Sequence, residues 1–189
     1  MQITTNNILL PEGAYNFKLQ FFTNLDIPLL QLVYKSWNDL STILEANGGR
    51  RLNIPEFLSE GIYSLAFNAG RKIEKIKGQK GKPNTSFDCF NVKTGKRIQV
   101  KASSVSEDLT SFGPKTQWDE LYFVHFFPTN KYDGSYEIYL INNNDIYNQK
   151  VNKTQTMRDV QLKGKRPRFS IIKEIIRKKN LKPIQSGKL

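Results

Sequence analysis

SFDCFNVKTGKRIQVKAS, residues 86–103, is the stretch on which the reading of this chain turns. Two runs rich in apolar residues flank Lys93-Thr94-Gly95-Lys96, the pattern of a β-hairpin closed by a tight turn. With Thr94 and Gly95 at the tip, Val92 faces Arg97, Phe90 faces Gln99 and Asp88 faces Lys101. Alternation then gives one face to Asp88, Phe90, Val92, Arg97, Gln99 and Lys101. The other face carries Phe87, Cys89, Ile98, Val100 and Ala102, an apolar surface broken by Asn91. The register that buries the apolar residues thus gathers an acid, an amide and an amine. A slip of one residue would scatter them.

The chemistry of such a patch is specific. A carboxylate and an amide carbonyl are hard oxygen donors suited to Mg²⁺. With one cysteine, Cys89, and one histidine, His125, the chain offers no thiolate or imidazole cluster for zinc. A nearby ammonium orients a water or neutralises charge developing on a phosphate. The plainer alternative is a surface Asp–Lys pair across the hairpin with an incidental glutamine.

Charge favours the first reading. The chain has 189 residues, 29 Lys+Arg against 17 Asp+Glu, and a net charge of +12. Residues 150–189 hold thirteen basic and two acidic side chains, nearly the whole imbalance. A second basic cluster, GRKIEKIKGQKGKP, spans residues 70–83. Gathered charge of this kind fits a polyanionic partner such as nucleic acid, because each phosphate contact releases counterions. Solubility alone would not require the clustering, and a membrane surface would call for an apolar insertion face.

Length fits one domain over 1–189, with 150–189 as a basic DNA-binding or dimerisation region. No apolar run approaches the ~18 residues of a membrane span. The N-terminal residues lack the basic start and apolar stretch of a signal peptide, and a lone cysteine permits no internal disulfide, so a cytoplasmic protein is expected. Cys89 itself reads as a small apolar strand residue.

Helix signals come first. Residues 26–46 predict a helix capped by Asp26, with Pro28 in the first turn and Asn47-Gly48-Gly49 as the stop. Residues 53–76 predict a second, opened by an Asn53/Glu56 capping box. Residues 78–83 form a basic connector. After the hairpin, residues 103–117 read as a polar loop containing Lys115, a candidate DNA contact or a plain surface connection. Residues 118–127, WDELYFVHFF, predict a strand buried on both faces, with His125 a core or sheet-face histidine. Residues 135–142 predict another strand. In QLKGKRPRFS, residues 161–170, Lys163, Lys165, Arg166 and Arg168 lie on an extended stretch held by Pro167, suited to phosphates. A short helix over 170–180 would pack Ile171, Ile172, Ile175 and Ile176. The order of elements indicates an α/β or α+β domain with helices flanking a sheet.

Asp88, ten intervening residues, then Gln99-Val100-Lys101 resembles the core of the PD-(D/E)xK nuclease superfamily, and within it a small type II restriction endonuclease. The likeness runs by layout from Glu56 to Asn142. It implies an α/β fold with a central mixed β-sheet and flanking helices, restriction-endonuclease-like, and Mg²⁺-dependent cleavage of double-stranded DNA at a specific site by a homodimer. It assigns Asp88, Gln99 and the Val100 backbone carbonyl as metal ligands and Lys101 as the residue that positions the attacking water or stabilises the pentacovalent phosphate. Phe87 stands where the proline of the motif falls, and Gln99 replaces its second acid. A helix glutamate would complete the acidic set. Glu56 is accounted for by the capping box, whereas Glu60 lies among Phe57, Tyr63, Ser64 and Phe67, costly surroundings for an unpaired charge; an exposed Glu60 paired with a lysine is the alternative. Three other functions stay open on the sequence: a structure-selective nuclease resembling a Holliday junction resolvase, a ribonuclease, though the chain lacks the histidine pair of the commonest metal-free type, and a non-catalytic DNA-binding protein.

Overall fold

Alternation, broken at buried Gln20, shapes the N-terminal hairpin. In β1 (Gln2–Leu10) and β2 (Gly13–Phe21) the inward positions are Ile8, Leu10, Tyr15, Phe17 and Leu19, all buried, and the two strands pair antiparallel from Gln2↔Phe21 to Leu10↔Gly13. The computed structural model describes residues 1–11, 13–75, 86–114 and 116–189. The expected connector at 78–83 lies outside them, as does Lys115. The opening hairpin is not part of the helices-first layout expected from the sequence.

Two helices follow, α1 (Ile27–Ala46) and α2 (Glu56–Phe67). The later strands are β3 (Gly70–Lys75), β4 (Cys89–Asn91), β5 (Lys96–Ser103), β6 (Thr110–Ser111), β7 (Glu120–His125), β8 (Ser135–Ile141), β9 (Arg168–Phe169) and β10 (Gln185–Lys188). Short helices α3 (Asn143–Tyr147) and α4 (Met157–Leu162) precede a last, π-type helix, Ile172–Arg177. Among the described residues the main sheet runs β1-β2-β3-β4-β5-β7-β8-β10, antiparallel except where β5 meets β7 in parallel. β6 and β9 form a separate antiparallel ribbon. The expected central mixed sheet with flanking helices is the observed architecture.

The strand β7 explains the layering. Tyr122 and Val124 pack with Leu30, Trp37, Ile62 and Tyr63 of α1 and α2. Leu121 and Phe123 pack on the opposite side with Phe112, Trp118, Phe169, Ile171 and the three isoleucines of the last helix. The continuous apolar run is thus buried on both faces, each large side chain contributing roughly 1.5–3 kcal/mol.

Three local expectations give way to tertiary effects. Asp26 occupies the N-cap position of α1 as expected, but its side chain makes no cap hydrogen bond; its carboxylate accepts from the Thr23 backbone N–H at 2.8 Å, the Thr23 hydroxyl at 3.0 Å and the N-terminal ammonium. The Asn53/Glu56 capping box is not formed, since the helix starts after Pro55 without a side-chain cap. There the Trp37 indole N–H donates to the Leu52 and Asn53 carbonyls instead. The second helix also stops early, at left-handed Asn68 (φ 50), and residues 70–75 form a strand because β2 presents an edge to pair with.

The hairpin carries a longer turn than expected. Partners are Cys89↔Ile98, Phe90↔Arg97 and Asn91↔Lys96, so residues 92–95 form the loop. Asn91 causes this: its Oδ1 accepts from the Lys93 and Thr94 backbone N–H groups, its carbonyl accepts from Gly95 N–H at 2.8 Å, and Gly95 takes φ +69. The shift is two residues, so each side chain keeps its expected face. Phe87 departs from the pattern and packs with Phe17 and Phe90 rather than with Cys89 and Ile98. No described helix is long and apolar enough to cross a membrane.

Gly70 seats β3 beneath Leu19, where an added Cβ would lie 2.7 Å from the Leu19 Cβ. Gly70→Ala is therefore expected to cost about 1–3 kcal/mol of stability, read as a lowered urea midpoint.

Candidate active site

A cleft of about 620 Å³ opens between the start of α2, the C-terminal half of β5, the loop after it and the segment 51–54. Its walls include Glu56, Glu60, Asp88, Val100, Lys101 and Arg166. Asp88 precedes β4, yet it is fixed on both sides. Its N–H donates to the Ile98 carbonyl at 2.8 Å, and its carbonyl accepts the Lys72 N–H at 2.9 Å. The strand pairs on either side therefore aim the carboxylate.

That carboxylate meets its neighbours on β5. Oδ2 accepts the Val100 N–H at 2.8 Å and the Gln99 side-chain amide. Gln99 is 3% exposed, and its Oε1 is buried with no hydrogen-bond partner among the described residues. A buried orphan acceptor costs about 1–3 kcal/mol unless something satisfies it. Beside a carboxylate and the backbone of Val100, it suits a hard divalent cation with oxygen ligands. The described residues contain no cluster of three His, Cys, Asp or Glu side chains able to hold a metal, so such a set has to use the amide, a backbone carbonyl and water.

Glu60 is buried in the cleft wall, as its surroundings suggested, and pairs with Arg71, whose Nε donates at 2.6 Å. Arg71 also reaches Gln20 Oε1 at 3.3 Å. Burial, then repulsion from Asp88, push the Glu60 carboxyl up to about 8; the Arg71 contact offsets only part of this. Burial raises Asp88 to about 6, opposed by Lys101, by the Val100 N–H and by Lys72. Asp88, Glu60 and Lys101 are thus in electrostatic contact, and Gln99 joins them through Asp88. Glu56 lines the same cleft.

Lys72 is a member that the sequence did not reveal. Its Nζ lies 4.6 Å from the Phe87 ring centroid, and burial lowers its pKa against the pull of Asp88 and Glu60. Lys72 and Arg71 fall in the stretch expected to continue the second helix, and only their strand placement brings them here. Arg51 is a second such case. Its guanidinium stacks 3.4 Å from the Tyr132 ring centroid and pairs with Glu45 at the rim of the cleft.

Of the basic residues of the tail, Arg166 reaches the cleft, while Lys163, Lys165 and Arg168 line a separate concavity of about 360 Å³ that also touches Arg166. What holds this segment in place is Asp108, hidden in the supposed surface loop. Its carboxylate accepts from the Thr110 hydroxyl at 2.5 Å, the Ser170 hydroxyl at 2.7 Å and the backbone N–H groups of Ile171 and Ile172 at 3.0 Å. Together with the β6–β9 ribbon, it ties the loop after β5 to the start of the last helix. His125 is buried, its Nε2 without a hydrogen-bond partner among the described residues.

Comparison with known proteins defines the class: the chain is a restriction endonuclease, a site-specific endodeoxyribonuclease. It belongs to the Bsp6I restriction endonuclease family, whose model matches residues 22–178. It is 35% identical over 159 residues to the type II restriction enzyme Bsp6I of Bacillus sp. (strain RFL6), covering 82% of this chain and 84% of that enzyme. No solved structure matches.

The raised acids set a pH dependence. Asp88 and Glu60 keep protons in the folded protein that the unfolded chain has released above its ordinary carboxyl values, 3.8 and 4.5. Their contribution to stability is then greatest below those values and falls as pH rises through about 6 and about 8. Without added metal, Asp88→Asn and Glu60→Gln should each melt above wild type near pH 9, by about 5 °C, and lose that advantage near pH 4. Calorimetric scans across pH measure the difference.

Proposed function

We propose that the enzyme cuts both strands of double-stranded DNA by Mg²⁺-dependent hydrolysis of phosphodiester bonds in the manner of the PD-(D/E)xK superfamily. The whole chain would act as one nuclease domain, paired as a homodimer on a symmetric site. The observation that carries the reading is the orphaned Gln99 Oε1 beside the Asp88 carboxylate, in a cleft that also holds Lys101.

Asp88, Gln99 Oε1 and the Val100 carbonyl would hold the cation, with Glu60 completing the acidic set. When bound, the cation supplies positive charge to the scissile phosphate. The remaining work falls to the chain. Lys101 donates a hydrogen bond that orients the attacking water and stabilises charge on the pentacovalent phosphate. The backbone N–H of Val100 holds Asp88 in place. Arg71 keeps Glu60 turned toward Asp88 and offsets part of the negative charge until phosphate and cation arrive. Arg166, on the cleft wall, binds the DNA backbone near the reacting phosphate. Lys115, Lys163, Lys165 and Arg168 extend that contact along the duplex, where such contacts supply affinity and orientation rather than base reading.

The test is incubation with a defined plasmid and Mg²⁺. Wild type should give discrete bands, and Asp88→Ala and Lys101→Ala should each lower the cleavage rate at least about 100-fold while DNA binding persists. Smearing abolished by the same substitutions would keep the active site and remove the sequence preference. Unchanged cleavage by either variant would dismiss the site. Arg166→Ala is expected instead to weaken DNA binding roughly tenfold on specific and nonspecific duplexes alike and to flatten the salt dependence by about one ion, measured by fluorescence anisotropy over a salt series.

A further inference from the structure

Helix α1 is amphipathic twice over. Leu30, Tyr34 and Trp37 enter the core on one side. On the opposite side Leu32, Leu40 and Ile43 are 61%, 50% and 59% exposed, and Leu29 is half-buried. At about 100° per residue these four fall within an arc of roughly 80°, with Ser36 at its middle. Just ahead of the helix, Leu25 is 90% exposed. A surface helix needs one apolar stripe, so the second has another occupant.

Resting on the two-fold enzyme proposed above, we infer that this outer stripe is where the second copy docks, α1 against α1 in antiparallel pairing about an axis at Ser36. The stripe is complementary to itself in that register. Leu32 meets Leu40 of the second copy, Leu29 meets its Ile43, and the small Ser36 side chains meet each other and let the helices close.

Charge supports the same occupant. Lys35 and Asp39 form an exposed pair at 2.7 Å on the flank of the stripe. In the paired helices each Lys35 comes within half a turn of the other copy's Asp39, which adds two cross-pairs of opposite sign. The helix bears one lysine and two acids in a chain of net charge +12. It is therefore a face that does not attract DNA and on which two basic chains approach without repulsion. The segment leaving α1, residues 51–54, lines the catalytic cleft, so contact here couples the two cutting sites.

The full-length protein tests this directly. Cys89 is buried, so Ser36→Cys introduces the only accessible thiol at the axis. Under mild oxidation Ser36→Cys should run at twice 21.8 kDa on a non-reducing gel, whereas Asn152→Cys, an exposed position far along the chain, should not. Sedimentation should show a wild-type dimer and a monomer for Leu32→Glu/Ile43→Glu, with unchanged circular dichroism. A wild-type monomer overturns the inference, as does a dimer that persists in Leu32→Glu/Ile43→Glu and fails to link through position 36. Plasmid cleavage separates this from the catalytic reading. A dimer linked at 36 that leaves plasmid intact refutes the nuclease chemistry alone, and a wild-type monomer that linearises plasmid refutes the interface alone.

Discussion

Partly burying the Asp88 carboxylate is the constraint that much of the site answers. A charge taken from water must be compensated locally or it will hold a proton. Here the compensation comes from three directions: the Val100 N–H and Gln99 amide on β5, Lys101 two residues further on, and Lys72 from β3 behind. Glu60 adds a second buried acid and brings its own partner in Arg71. The opposing charges come close to balance without a cation, but both carboxyls remain raised above their usual range. A divalent cation placed here would relieve the repulsion between the two acids and satisfy the amide oxygen at once.

The same constraint sets the local backbone. Asp88 has to be held by β3 and β5 while lying outside the regular strand, and its N–H and C=O are shared between those two neighbours. Gly70 allows β3 to come close beneath β2, which brings Arg71 and Lys72 to the acids. The C-terminal region is anchored by a different buried carboxylate. Asp108 receives two hydroxyls and two backbone N–H groups, which together with the β6–β9 ribbon tie the loop after β5 to the start of the last helix. Arg166 owes its place on the cleft wall to that anchor, not to the flexible reach of a basic tail.

Local pattern was enough for several elements. The apolar run at Glu120–His125, the strand Ser135–Ile141 and the packed Ile171, Ile172, Ile175 and Ile176 all sit where the sequence put them. The grouping of Asp88, Gln99 and Lys101 on one hairpin face also survived an incorrect turn length, because a two-residue shift conserves strand parity. Glu60 could be preferred over Glu56 as a buried acid from the aromatic residues spaced around it. Residues 2–21 carried a readable alternation, and their strands were available to the same reasoning.

By itself the sequence determined which side chains share a face, which runs must be buried, and where positive charge is concentrated, since these follow from fixed periodicities of 2 and 3.6 and from composition. Only the tertiary structure decided the rest. Residues 70–75 have no local preference strong enough to choose strand over helix, and the free edge of β2 chose for them. Asp108 looked like any loop acid until the last helix, more than sixty residues later, supplied its donors. Lys72 and Arg71, facing Asp88 and Gln20 across the sheet, and Arg51, stacked on Tyr132, joined the site for the same reason: no local pattern encodes a contact that exists only after the sheet has closed.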